Sequence, residues 1–433
     1  MKNYIINFKK ENSLYILIFI FISYRFIDSF FWYHPYDVST DSDTHWAYLA
    51  ATTFDFIDPK WDFPKFVYGP WYYFLTAYIF GPIFFSLYYI DIISVHEAAM
   101  YSFMFMNFTL SICLLIGTIK LSKKLFKNEL GQKSYVILIM LLPFSNKAYY
   151  NFTVENLALA FMPWILIYLI KSLKKNLIKD WIKFSFLLAI SATSKVNILI
   201  PNLLLISSFL FFHLVKYKKF NFKFFIPYLM TIVMIISSNL ITKSSLFDKS
   251  SVGTGPDFTG IPNYSVFYKI NFKDAYKNPL YPQQRNSWAN MWSLDFFGDY
   301  FNSIKTRQRF IENSEDKIIK LNRNILILTL LFFSWYTFCL VKSFNRNLFS
   351  YENIYSIMFF AIFFEQFAYC YYVFNPELAQ SFDMRYWVFY TFFLVYPLSK
   401  TFDKIKTTKH IKYNYYITIF FGLASLNQLL VIF

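Results

Sequence analysis

The sequence predicts an all-α polytopic membrane protein with about eleven transmembrane helices and interfacial helices in its first outer loop. Three observations predict this class. Hydrophobic residues make up 56% of the 433 and charged residues only 16%, against the roughly 25% charged of ordinary globular domains. Mean hydropathy is +0.35. The apolar residues also gather into runs of about 18 or more, each long enough to cross a hydrocarbon core, with short lysine-rich segments between them.

The charge balance excludes some classes. The 42 Lys and Arg exceed the 26 Asp and Glu, for a net charge of +16. In a soluble chain that excess would suggest nucleic acid. Here the lysines fall in short loops, where they fix orientation by the positive-inside rule, so a lipid bilayer is the expected partner and nucleic acid is not. Cys113, Cys339 and Cys370 lie in apolar segments without paired spacing, which implies neither a disulfide framework nor a metal cluster. No glycine-rich phosphate loop, zinc-protease motif or nucleophile elbow is present.

The elements follow in order. A basic stretch, 1–12, precedes an apolar run at about 13–33 that is too long for a signal-peptide core and has no small-residue cleavage site. It reads as an uncleaved first helix with the N-terminus in the cytoplasm and His34 outside. The lysine-rich loops 120–133, 171–183, 216–223 and 400–412 should all be cytoplasmic. An odd number of crossings must then separate the first outer segment from loop 120–133, yet two apolar runs lie between them. Pro70 opens the run 70–93 and Gly81-Pro82 breaks it, so this one should lie in the interface or dip in and return. The further spans fall at about 98–119, 134–150, 154–170, 181–194, 196–214, 224–242, 323–341, 353–373, 385–399 and 413–432. The resulting organisation is an N-terminal membrane module, 1–242, that includes the first outer loop, 34–97. A large outer loop, 243–322, and C-terminal membrane helices, 323–433, complete it. Gly253, Gly255, Pro256, Gly260 and Pro262 mark the large loop as irregular chain with short helices.

Polar residues gather at the outer ends of these spans. Asp41 and Asp43, with His45 beside them, stand just beyond the first helix. Two carboxylates at that spacing can ligate a divalent cation, or one can serve as general base toward a hydroxyl; either aspartate can equally cap a short helix. Glu155 heads a span, where a carboxylate is costly unless solvated or paired, though an acid at a helix N-terminus is also favourable in itself. Lys195 faces outward between two spans. It suits a phosphate as a point charge, or it snorkels. Arg385, followed by Tyr386, can grip a lipid phosphate bidentately or pair with Asp383 or Glu377. Trp292 and Asp299 belong to an aromatic and acidic patch of the large loop that fits sugar stacking or interfacial anchoring. Glu365 sits in mid-span and should face the bundle interior.

Taken in order, these landmarks resemble the GT-C superfamily of polytopic glycosyltransferases. Asp41-Ser-Asp43-Thr-His45-Trp46 is similar to the first acidic motif of that family, Tyr68-Gly-Pro70 to its downstream Tyr-Pro-Pro, and Tyr149 to Asn156 to its second acidic site, where Glu155 stands alone. Ser194-Lys195, Phe297-Gly298-Asp299-Tyr300 and Arg385-Tyr386 are similar to landmarks of bacterial members. The resemblance implies an inverting transfer of a sugar from a polyprenyl-phosphate donor to a lipid, glycan or protein acceptor at the outer face of the membrane. Asp43 would act as base with Asp41 as second choice, and Glu155 would bind the acceptor or help hold an optional cation. Lys195 and Arg385 would stabilise the phosphate, and His45, Tyr386, Trp292 and Asp299 would complete substrate binding. A divalent cation, Mg or Mn held by Asp41, Asp43 and Glu155, is the one cofactor in view. The expected location is a bacterial inner membrane with the site facing the periplasm. Other classes remain: a lipid-linked saccharide flippase or transporter, a polysaccharide polymerase or ligase, or a non-catalytic subunit. A transporter would bury its charges along a midplane path, whereas here they collect at one face.

Overall fold

The computed structural model describes residues 18–23, 26, 69–142, 154–218, 220–242, 268–279, 287, 289–290, 293, 315–345, 350–372, 391–404, 417–418 and 420. Every regular element among them is helical. The first two are short: α1 (Trp71–Ile79) and α2 (Gly81–Tyr89), of nine residues each. Nine residues rise only about 13 Å, so neither can cross a core of roughly 30 Å. The break between them is local chemistry. Phe80 N–H closes α1 on Thr76 O at 3.0 Å, and Pro82, which has no N–H to give, sits in the first turn of α2.

A capping box opens α3 (Val95–Leu125): Ser94 Oγ accepts from Glu97 N–H, and Glu97 Oε2 accepts from Ser94 N–H at 2.7 Å. After a three-residue link comes α4 (Glu129–Leu141), and then α5 (Glu155–Lys175). α3 and α5 run parallel, since Asn107 meets Asn156 near one end and Cys113 O accepts from Trp164 Nε1 further along. Their approach depends on Gly117, where a Cβ would lie 2.6 Å from Trp164 Nε1 and 2.8 Å from Pro163 Cγ. Between helices in lipid, close van der Waals packing of this kind supplies what the hydrophobic effect cannot.

A two-residue turn joins α5 to α6 (Ile178–Ala192). Asn176 takes the left-handed conformation, φ 52°, that ends α5; asparagine tolerates this better than other residues with a side chain. The helices α7 (Val196–Tyr217) and α8 (Ile226–Thr242) follow, the second led in by a 3₁₀ turn at Phe222–Phe225. In the region 243–322 a short described helix is α9 (Phe272–Lys277). Arg323 ties it to the bundle by donating to Tyr276 O and Lys277 O at 2.8 and 2.9 Å. The remaining helices are α10 (Glu315–Ser343), α11 (Tyr351–Tyr372) and α12 (Thr391–Lys404). α10 starts eight residues before the expected 323 because its first turns carry Glu315, Asp316, Lys317 and Lys320, which keep hydropathy low there.

Five of these stretches are long and apolar enough to span a bilayer: Glu97–Leu125, Glu155–Lys175, Ile198–Tyr217, Phe222–Ile241 and Arg323–Ser343. Their surfaces agree. On α8 the exposed residues Leu229, Ile232, Val233, Ile236 and Leu240 recur at helical spacing on one apolar face, while α8 also packs on α6. An apolar face of that length suits lipid and would be an aggregation liability in water. The protein is an integral membrane protein with several helical spans.

The lysine-rich ends gather at one end of the bundle. Asn221 Nδ2 and Lys223 Nζ both donate to Asn176, each at 2.7 Å, which joins the link before α8 to the turn after α5. Lys400 of α12 pairs with Glu352 at the start of α11 at 3.0 Å, and Phe126, just past α3, packs on Tyr396 of α12 at 5.5 Å. Lys124, Lys174, Lys216 and Tyr396 border one another across this end, so loops 120–133, 171–183, 216–223 and the start of 400–412 share it.

Candidate functional site

The opposite end of the bundle holds a buried polar corner built from five helices. Glu155 is the first residue of α5 and only 1% exposed. Lys195 lies between α6 and α7, with its side chain 14% exposed. Its Nζ stands 2.8 Å from Glu155 Oε1. The carboxylate suits its place at the N-terminus of α5, whereas Lys195 stands between the C-terminus of α6 and the N-terminus of α7, whose dipole ends oppose one another. An isolated carboxylate so buried would cost several kcal/mol; the ammonium offsets that. Lys195 is thus neither a snorkelling lysine nor a lone outward cation.

Around this pair the backbone is held closely. Gly69 N–H donates to Ser194 O at 2.9 Å. A Cβ on Gly69 would stand 1.9 Å from Thr193 O, so only glycine permits the approach. Trp71 Nε1 donates to Thr193 Oγ1 at 2.8 Å, and Thr193 and Ser194 return their hydroxyls to Ala189 O and Ile190 O in α6. Gly69, from the Tyr68-Gly-Pro70 motif, therefore lies directly against Ser194, joining two landmarks separated by more than a hundred residues of sequence.

Behind the pair lies a neutral network. Asn107 Oδ1 accepts from Tyr72 Oη at 2.9 Å and from Asn156 Nδ2 at 2.8 Å, and all three residues are buried. It locks α1, α3 and α5 together beside Glu155. Sequence reasoning passed over Asn107, Tyr72, Trp71 and Thr193. The available signal was Asn107 itself, an amide in an otherwise apolar stretch of α3 that must find partners in lipid.

Of the expected site residues, the structure brings Glu155 and Lys195 together. Asp41, Asp43, His45, Trp292, Asp299, Arg385 and Tyr386 lie outside the described residues, as does the side chain of Glu365. Next to Trp292, the described neighbours Asn290 and Ser293 are buried, and Ser293 O accepts from Thr329 Oγ1 at 3.0 Å, which fastens that part of the outer loop to α10. For a divalent cation, Glu155 is a poor ligand while it carries the Lys195 ammonium, because the cation would have to displace it. Among the described residues, no three His, Cys, Asp or Glu side chains gather as a metal site. No protein-family model matches the sequence, and a search of curated proteins finds no match.

Proposed function

We propose that the protein is an inverting membrane glycosyltransferase of GT-C type, moving a sugar from a polyprenyl-phosphate carrier to a hydroxyl-bearing lipid, glycan or protein acceptor. The observation that carries this reading is the Glu155–Lys195 pair at 2.8 Å, with Gly69 docked beside it on Ser194. Asp41 and Asp43 stand 28 and 26 residues before Gly69 in the same expected outer segment, and the proposed reading brings them to this fixed cation. In the proposed architecture about eleven helices cross the membrane, the lysine-rich end faces the cytoplasm and the corner faces outward.

The reaction asks little of the protein. The acceptor oxygen attacks the anomeric carbon from the face opposite the phosphate and forms the new C–O bond. The bond from that carbon to the phosphate oxygen breaks, its electron pair leaves with the phosphate, and the configuration inverts. Asp43 takes the acceptor proton, assistance typically worth about 10²–10⁴ in rate, with Asp41 as the second choice. Lys195 and Arg385 stabilise the departing phosphate. Glu155 acts as a positioning residue, holding the Lys195 ammonium charged and in place. No step is routed through a metal.

The test is transfer in native membranes from a panel of radiolabelled polyprenyl-phosphate sugars, comparing the wild type with Asp43→Asn and Lys195→Ala. Wild-type transfer should fall by about 10²-fold or more in Asp43→Asn. Equal transfer by the two would remove Asp43 from the chemistry. Absence of transfer across the whole panel would sink the enzyme reading in favour of a saccharide-lipid transporter.

A further inference from the structure

The lysine-rich end of the bundle contains a feature that a sugar transfer at the other end does not use. A cavity of about 590 Å³ opens there between α3, α5, α7, α11 and α12, within the usual size range of small-molecule sites. Since α5 has Glu155 at one end and Lys174 at the other, about 28 Å of helix separates the cavity from the polar corner. The two are different sites.

The chemistry of the cavity is asymmetric. Lys124, Lys174 and Lys216 line it from three helices, and none of them has a carboxylate partner among the described residues. The one acid in its wall, Glu352, is already engaged: Oε1 by Lys400 at 3.0 Å, and Oε2 by Asn345 Nδ2 at 3.3 Å. Lysines at the end of a membrane helix commonly do no more than meet lipid head groups. The interior goes further. Tyr355 also lines the cavity and is 3% exposed, yet its hydroxyl has no hydrogen-bond partner among the described residues. Its ring is held by stacking on Tyr396, with centroids 5.1 Å apart, so the hydroxyl cannot simply swing to water. Beside it, the Tyr351 hydroxyl is hydrogen-bonded to His213 Nδ1 at 2.8 Å. A buried donor in a wall that also carries three lysines, and whose acid Glu352 is already engaged, calls for an acceptor that carries negative charge.

We propose that this cavity binds a phosphate-bearing anion, held by the ammonium groups of Lys124, Lys174 and Lys216 and by the hydroxyl of Tyr355. An anionic phospholipid fits best. The cavity lies where the spans end and head groups begin, and Ile170 and Leu173 give it an apolar wall for the start of an acyl chain.

The experiment uses the full chain purified in neutral detergent, with binding followed by thermophoresis. The probes are dioctanoyl phosphatidylglycerol, dioctanoyl phosphatidylcholine and inorganic pyrophosphate. The anionic lipid should bind saturably and the zwitterionic one much more weakly. Tyr355→Phe, which keeps the stacked ring, should weaken binding roughly tenfold. Lys124→Gln, Lys174→Gln and Lys216→Gln should each weaken it about fivefold. These lysines are exposed, so their replacement leaves the fold intact even if Tyr355→Phe disturbs it. Pyrophosphate binding with the same variant pattern, without lipid binding, would support the phosphate site and assign it a soluble ligand. Equal binding of the two lipids, no binding of any probe, or lysine variants that bind like the wild type would each overturn the proposal.

Discussion

A buried ion pair is decided by its two members together. Removing one leaves the other charged in a site that excludes water, which typically costs about 3–5 kcal/mol, whereas removing both can be close to neutral. Lys195→Met and Glu155→Gln should therefore each lower the stability of the detergent-solubilised protein by about 3 kcal/mol, and the double variant should recover most of the loss. Additive losses in chemical denaturation would mean that the two side chains do not act as a pair. The same double variant should still be inactive if Lys195 stabilises a departing phosphate, which separates stability from chemistry. The sequence places both residues at the outer ends of spans, and so on one face. It does not pair them, because a contact across 40 residues depends on how α5 folds back onto α6, which hydropathy does not encode.

Elements read from the sequence in proportion to how apolar they are. α3, α5, α7 and α8 fall where their apolar runs fall, and Gly81-Pro82 marks the break between α1 and α2. The polar ends are less legible. α10 begins at Glu315 and α12 continues to Lys404, because charged residues with good helix propensity extend a helix past the membrane without adding hydropathy. The docking of α1 was also hidden. Tyr68-Gly-Pro70 is visible as a motif, but the reason for its glycine lies at Thr193. Gly69→Ala should cost about 1–3 kcal/mol, since a methyl group must displace backbone rather than a movable side chain. The check is the shift in denaturation midpoint relative to wild type, and an unchanged midpoint would contradict the close approach.

For the whole molecule, the shared position of the lysine-rich loops makes a claim about sides. In a cysteine-free background, Lys127→Cys and Lys175→Cys should react with an impermeant maleimide from one side of the membrane, and Asp91→Cys from the other, because the length of α3 separates residue 91 from residue 127. Labelling of all three from one side would break the topology. With cytoplasmic lysine loops, Asp91 is the position labelled from outside intact cells. Charge patterning makes the shared end of these lysines legible in the sequence and predicts its side; the cavity among them is not legible there, because Tyr355 looks like one more aromatic in an apolar run.

The two-residue turn at Asn176 and Leu177 also bears on how the chain enters the membrane. α6 has 15 residues, about 22 Å of helix, and carries Lys179, Asp180 and Lys183 in its first turns. A segment so short and so charged is a poor candidate for insertion by itself. Tethered to α5, with Trp181 buried and its Nε1 donating to Asn176 Oδ1 at 3.1 Å, it can partition as the second arm of a helical hairpin. Lys195 then reaches Glu155 when that hairpin closes, which makes their meeting an early event in biogenesis and ties the assembly of the polar corner to the order in which the ribosome delivers its parts.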